Sequence, residues 1–247
     1  MPRAPRVAVG GEVYHALNRA NARLPLFDGD PAYEQFQQVL AEAHQRVAMR
    51  TLSYCILPNH WHLVLWPRGD GDLSEFMRWL GVTHTQRWHA SRGSAGSGHI
   101  YQGRFKSFPV QRRAATRDRA GAGVLETGNP VLAVCRYVER NALRAGLVRR
   151  AENWRWSSLW TRIGGQPQQQ ALLTEPPDGW PDDWLELVNQ PQNQKELDAI
   201  RQSVLRSRPF GDQRWVARTA ERLGLQCTLR PRGRPRKAEK GLTPFPS

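Results

Sequence analysis

Two imidazoles, His60 and His62, stand two residues apart in the otherwise apolar run from Pro58 to Val64. Alternate residues of a β-strand face the same way. A strand over His60 to Trp66 therefore sends His60, His62, Val64 and Trp66 to one side and Trp61, Leu63 and Leu65 to the other. Two neutral imidazoles side by side can give two nitrogen ligands to a divalent cation. A histidine pair on a strand can equally be structural, so the rest of the chain must supply what completes such a site.

A second cluster of chemistry lies on the stretch Val131 to Ala145. At about 100° per residue, Val131, Val134, Val138, Ala142 and Ala145 gather on one side of a helix, and Arg136, Arg140 and Arg144 form a stripe on another. Tyr137 and Asn141 fall between, one turn apart, so they project together. Gly146 can close the helix as a left-handed cap. A phenol and a carboxamide beside a basic stripe suit a site where a phosphodiester lies. The fitting chemistry is transesterification by tyrosine, in which Tyr137 attacks phosphorus, is left joined to the 5′ phosphate, and a 3′ hydroxyl departs. A divalent metal on His60 and His62 would polarise the phosphoryl oxygens, and Asn141 could be the third ligand. One amide oxygen with two nitrogens and open positions is compatible with Mg²⁺ or Mn²⁺. Tyr101 is a rival nucleophile, although its place in a strand motif argues for structure or base stacking. Two other classes stay open: a metal-dependent nuclease that uses water, with Tyr137 structural, and a domesticated DNA-hairpin-binding protein without cleavage activity.

The elements that must position these groups follow from the pattern. Glu12 to Asn18 alternates as a first strand, and a helix runs from Asp30-Pro31 to Met49, with Asp30 as N-cap and Pro31 at the first helical position. Thr51 to Leu57 and His60 to Trp66 form a hairpin about the turn Pro58-Asn59. A helix from Asp72 towards His89 and a fourth strand over Tyr101 to Val110 complete the order strand, helix, strand, strand, helix, strand. That order predicts an α+β fold, the ferredoxin-like split βαββαβ arrangement, with an antiparallel sheet and helices on one face plus an added tyrosine-bearing helix. Residues 112–130 read as a basic loop carrying Arg112, Arg113, Arg117 and Arg119. A composition shift beyond Ser158 divides the chain into a basic arm (1–11), a catalytic domain (12–158), a helical extension (159–229) and a basic tail (230–247).

The 247 residues carry 36 Lys and Arg against 22 Asp and Glu, a net charge of +14 that favours a polyanionic partner, nucleic acid foremost. No apolar run of about twenty residues marks a membrane span, and no apolar segment follows the basic N-terminus as a signal peptide requires, so the expected location is cytoplasmic and the expected partners exclude a membrane. Cys55, Cys135 and Cys227 are too scattered for a disulfide framework and read as reduced core residues. Trp154, Trp156 and Trp160, beside Arg149, Arg150 and Arg155, either stack on unpaired bases or close the core. In the tail, Arg232-Gly233-Arg234-Pro235 resembles an AT-hook, whose extended arginines enter a narrow minor groove. The alternative is a solvated basic tail.

The segments Leu57 to Val64, Tyr101 to Ser107 and Tyr137 to Val148, followed by Trp156-Ser157-Ser158, resemble the single-tyrosine HUH transposases, and within them the REP-associated tyrosine transposases of bacteria. The likeness runs from about Val13 to Ser158, with three separated motifs in the right order. It implies that His60 and His62 are the HUH metal ligands, Tyr137 the nucleophile and Asn141 the third ligand. It implies a substrate too: single-stranded DNA folded into REP-type hairpins, cleaved and rejoined in transposition or REP element mobilisation. It also implies a monomer rather than a dimer, working at the bacterial nucleoid. Asn18, Arg19, Arg104 and Lys106, with Arg136, Arg140, Arg144, Arg232 and Arg234, are the expected DNA contacts. Two departures stand out: relatives often carry Pro where this chain has Ala142, and the 112–130 loop is longer than usual.

Overall fold

A computed structural model describes residues 7–112 and 127–230. Strands β1 (Val13–Arg19), β2 (Met49–Leu57), β3 (His60–Pro67) and β4 (Lys106–Val110) form one antiparallel sheet in the order β2-β3-β1-β4. Helices α1 (Asp30–Arg46) and α2 (Asp72–Ser91) follow β1 and β3, which gives the expected split βαββαβ order. Then come α3 (Pro130–Glu139), α4 (Asn141–Arg144), α5 (Ser158–Gly164), α6 (Pro167–Gln170), α7 (Trp184–Asn189), α8 (Gln194–Arg206) and α9 (Gln213–Arg222). Among the described residues no helix is long and apolar enough to cross a membrane.

The period-two pattern of the sheet feeds two cores. On the first face Tyr14, Ala16, Tyr54, Ile56, Trp61, Leu63 and Leu65 meet Phe36, Val39 and Leu40 of α1 and Phe76, Met77 and Leu80 of α2. On the second, Val13, Leu57, Val64, Phe108 and Val110 meet Val131, Val134 and Val138 of α3. Each fully buried side chain of this size contributes roughly 1.5–3 kcal/mol, so both faces are strongly specified. A slip of one residue would invert them.

The turn between β2 and β3 is tied down from outside. Pro58 O accepts from Leu26 N (2.7 Å) and Phe27 N (3.1 Å), and Asn59 O accepts from Ala20 N (2.8 Å). The start of β3 is thereby held to the end of β1, where Arg19 pairs with His60 and Leu17 with His62.

Several local expectations change. The first helix ends at Arg46, and Met49, expected as its end, opens β2. The N-cap of α1 is Gly29, with Asp30 already inside the first turn. The fourth strand begins at Lys106, not Tyr101, because the Tyr101 ring is drawn into the first core. There its hydroxyl accepts from Trp61 Nε1 (2.9 Å) and bonds His84 Nδ1 (2.7 Å), leaving a single bridge to Ala20. The helix read over Val131 to Ala145 is interrupted at Arg140, which separates α3 from α4. Its close is as expected: Gly146 takes φ of 71°, and Leu147 N reaches back to Ala142 O at 3.0 Å.

The segment beyond Ser158 contributes to the second core. Trp184 and Val188 of α7, Ile200 of α8 and Phe210 pack in the same cluster as Val64 and Val134. Buried Glu139, at the end of α3, joins the two parts: it accepts from Trp184 Nε1 (2.9 Å), Ser158 Oγ (2.6 Å) and the Arg162 guanidinium.

Candidate active site

His60 and His62 share one face of β3, as the alternation requires, and that face looks towards α3. Their ring centroids lie 5.1 Å apart at 77°. Two imidazoles bound to one ion through nitrogens about 2.1 Å away have centroids at roughly this separation. His60 Nδ1–H donates to Asn59 Oδ1 at 2.6 Å, and His62 Nδ1 bonds His15 Nε2 at 2.8 Å. Both rings thus have Nδ1 engaged and Nε2 left for a cation.

Electrostatics favour the neutral, ligating forms. Burial, followed by the charges of Arg19 and Arg144, pushes the His60 pKa down to about 4. Burial, with His15 and His60 beside it, holds His62 well below the ordinary histidine value. His15, fully buried, is lowered to about 3 by burial alone. A protonated imidazole in this site would be desolvated without a counter-charge.

Tyr137, on the third turn of α3, is carried over the histidines. Its ring centroid lies 6.0 Å from that of His62 and 6.2 Å from that of His15, nearly perpendicular to both, and the residue is 8% exposed. The Arg144 guanidinium covers the ring at 4.1 Å. It also donates to Tyr137 O (3.2 Å) and Asn141 Oδ1 (2.8 Å). Burial lowers the Arg144 pKa, and the neighbouring Tyr137 acts in the opposite direction.

Asn141 therefore joins the group through Arg144. Its Oδ1 accepts from the guanidinium and, as a carbonyl oxygen, keeps a second lone pair. Its Nδ2 and Arg144 Nη1 are buried donors without a partner. Among the described residues, no three His, Cys, Asp or Glu side chains are placed to hold a metal ion. A cation here would rest on the two imidazoles together with amide, water or phosphate oxygens, and the free Nε2 atoms and the spare lone pair fit that donor set.

The other expected contacts divide. Arg19 lies beside His60 on the site face, and Asn18 ties the end of β1 to the segment before β4, donating to Gly103 O at 3.2 Å. Arg104 and Lys106 are exposed, Lys106 opposite Leu17 on the site face. Arg136 and Arg140 do not form a solvent-facing stripe. Arg136 is 1% exposed and donates to Leu187 O (2.7 Å), Gln190 O (3.0 Å) and Pro191 O (3.3 Å). Arg140 donates to Val188 O at 2.9 Å and to Asn189 O. Those of Leu187, Val188 and Asn189 are orphan carbonyls at the C-terminus of α7, whose partial negative charge the guanidiniums neutralise, and those of Gln190 and Pro191 lie just after it. Arg232 and Arg234 lie outside the described residues, as do Arg113, Arg117 and Arg119. Two of the three tryptophans take the core role: Trp156 is buried and stacks on Tyr33 with centroids 4.7 Å apart, and Trp154 donates to Ile56 O at 2.8 Å, whereas Trp160 is half-buried and in neither core. Cys55 and Cys135 are buried, whereas Cys227 is exposed.

His15 is the residue that sequence reasoning missed. Its alternation places it on one face of β1, but only the register, with His15 opposite Val64 and Leu17 opposite His62, shows that this face carries the histidines.

Residues 9–118 match the family described as "Transposase IS200 like". That segment is similar to the IS200-like transposases. The match spans the sheet, α1, α2 and the histidine pair, and ends before α3. Among solved structures, a REP-associated tyrosine transposase bound to a REP hairpin is similar at 18% identity and a TM-score of 0.47, over 68% of this chain and 90% of that one. A protein from Deinococcus radiodurans R1 described as a candidate transposase is similar at 13% identity and 0.34, over 49% of this chain and 92% of the other. No curated protein matches the chain.

Proposed function

We propose that this protein is a transposase that cuts and rejoins single-stranded DNA through Tyr137, with REP-type hairpins as its substrate. The observation that carries the reading is the Tyr137 ring set 6.0 Å from His62, under the Arg144 guanidinium. The phenol oxygen of Tyr137 attacks the phosphorus of a phosphodiester and forms a new P–O bond. The bond from phosphorus to the 3′ oxygen breaks, that oxygen leaves as a 3′ hydroxyl after taking a proton, and the phenol proton passes to solvent. The DNA 5′ phosphate is then joined to Tyr137, and attack by a 3′ hydroxyl reverses the step during strand transfer.

His60 and His62, with Asn141 through its spare lone pair, would hold Mg²⁺ or Mn²⁺, which when bound supplies Lewis-acid polarisation of the phosphoryl oxygens. Arg144 orients Tyr137 and Asn141 and places positive charge beside the phenol oxygen, where charge changes during attack. Arg19 and Lys106, on the same face of the sheet, draw the phosphate backbone towards the site. The +14 net charge and the transposase-like segment support DNA as partner. The protein acts as a monomer at the nucleoid, with a catalytic domain over 12–158 whose second core the helices to 229 complete, and with the basic tail appended.

The deciding experiment incubates the protein with labelled single-stranded hairpin DNA and Mn²⁺ and looks for a denaturant-resistant adduct. An adduct is expected, and Tyr137→Phe should abolish it while retaining hairpin binding. Cleavage without an adduct would point to a water-using nuclease. Tight binding without cleavage would point to a hairpin-binding protein that no longer cuts.

A further inference from the structure

His15 is nowhere a ligand in the reading above, yet it makes the closest polar contact to the histidine pair, and its placement has a consequence for His62. We infer that His15 is a positioning residue that selects the tautomer of His62 and so makes its Nε2 able to bind a cation. The inference rests on the proposed metal site at His60 and His62.

The two histidines are held by partners of different kinds. Asn59 Oδ1 can only accept, so the 2.6 Å bond places a proton on His60 Nδ1 and leaves the His60 Nε2 lone pair free. The partner of His62 is another imidazole, which can do either. The rings of His15 and His62 are nearly coplanar, at 7°, with His15 Nε2 and His62 Nδ1 2.8 Å apart. If His15 donates from Nε2, then neutral His62 must carry its proton on Nε2, the atom a cation needs bare. If His15 accepts, His62 carries the proton on Nδ1 and its Nε2 is free. Only the second arrangement makes the pair a two-nitrogen site, and it requires His15 to be protonated on Nδ1.

His15 Nδ1 is buried and has no hydrogen-bond partner. Phe108 and Tyr137 pack T-shaped against this imidazole, at 4.9 Å and 64° and at 6.2 Å and 86°, and neither contact assigns its proton. The site assigns it: a cation on both histidines needs His62 Nε2 bare, and a proton on His15 Nδ1 is the form that leaves His15 Nε2 to accept from His62 Nδ1–H. Metal-bound histidines elsewhere are oriented in this way by a carboxylate, carbonyl or water on the other nitrogen. Here the fully buried β1 imidazole has that role, from the strand that neighbours β3 on the side away from β2.

The test has two parts. In the metal-free wild-type protein, ¹⁵N–¹H correlation spectra of the imidazoles should show His62 and His15 both protonated at Nδ1; a proton on His62 Nε2 overturns the inference whatever the metal does. Mn²⁺ affinity, followed by the loss of the free-ion EPR signal, should fall about tenfold to a hundredfold in His15→Phe, the scale of lost outer-shell partners. His15→Gln, whose carboxamide oxygen accepts from His62 Nδ1–H, should restore most of it. A His15→Phe protein that binds Mn²⁺ like wild type, with His62 unchanged, also overturns the inference. If instead wild type binds no Mn²⁺, or His60→Ala and His62→Ala bind as well as wild type, the metal reading fails, and the tautomer spectrum still decides the role of His15.

Discussion

Replacing Glu139 tests how the tyrosine helix is anchored. The residue is fully buried, two positions beyond Tyr137, and its carboxylate accepts from Trp184 Nε1, Ser158 Oγ and Arg162. Glu139→Ala leaves the buried Trp184 indole N–H without an acceptor, a cost of about 1–3 kcal/mol. Ser158 loses less, because Ser53 Oγ and Tyr54 O lie within 3.2 Å of its hydroxyl. Arg162, one-fifth exposed, loses its counter-charge but keeps Leu52 O at 3.3 Å and the Trp180 ring at 4.2 Å. Breaking a buried pair from one side costs about 3–5 kcal/mol in total, a large part of the roughly 5–15 kcal/mol that stabilises a typical domain. Urea unfolding followed by tryptophan fluorescence should therefore show Glu139→Ala destabilised by that amount. Glu139→Met with Arg162→Met, which removes both charges, should recover a substantial part of it. A Glu139→Ala loss below about 1 kcal/mol would show that the carboxylate does not hold α3 to α5 and α7.

His84 is buried on the first face, and burial lowers its pKa to about 3. The unfolded chain binds the proton first, so this stabilising contribution is complete above pH 6.5 and is lost as pH falls towards 3. Between pH 7 and pH 5 the loss is about 2 kcal/mol at 1.36 kcal/mol per unit, and urea midpoints of His84→Gln should lack that part of the pH dependence. Arg136→Met should lower stability by several kcal/mol, since three carbonyls lose their donor, with hairpin affinity of the folded protein unchanged. Lys106→Ala should do the reverse: stability within about 0.5 kcal/mol and a salt slope of binding reduced by about one. Equal salt slopes for the two variants would refute the division of the basic residues into structural and DNA-facing sets. Deleting residues 230–247 should weaken hairpin binding and flatten its salt dependence, and binding that is unchanged in both respects removes the groove-binding role from Arg232 and Arg234.

The parts of the fold that were legible are those in which local pattern and tertiary demand coincide. The two-residue alternation of His60 to Trp66 had to be obeyed because both faces of β3 are buried by different helices. The left-handed close at Gly146 was legible for a similar reason, since the residue type and the backbone requirement agree. The arginines were misread because helical periodicity gives direction and not surroundings. Arg136 and Arg140 share a side of the helix, but α7, some fifty residues further on, presents its terminal carbonyls to that side. His15 was overlooked for a different reason, because pairing register between strands far apart in sequence leaves no trace in either strand alone.

These two omissions bear on how the site is held. The histidines sit on a strand fixed by β1 and β2, and are part of the matched transposase segment. Tyr137 sits on a helix beyond that segment, and the polar groups flanking it, Arg136, Glu139 and Arg140, are all committed to α5, α7 or the chain just after α7. Apolar packing of Val131, Val134 and Val138 sets α3 against the sheet, but such contacts are non-directional. Hydrogen bonds are directional, and those to α5 and α7 resist rotation of α3 about its axis. Rotation of α3 would carry Tyr137 away from His62 and His15. The helices after Ser158 thus belong to the machinery that aims the tyrosine.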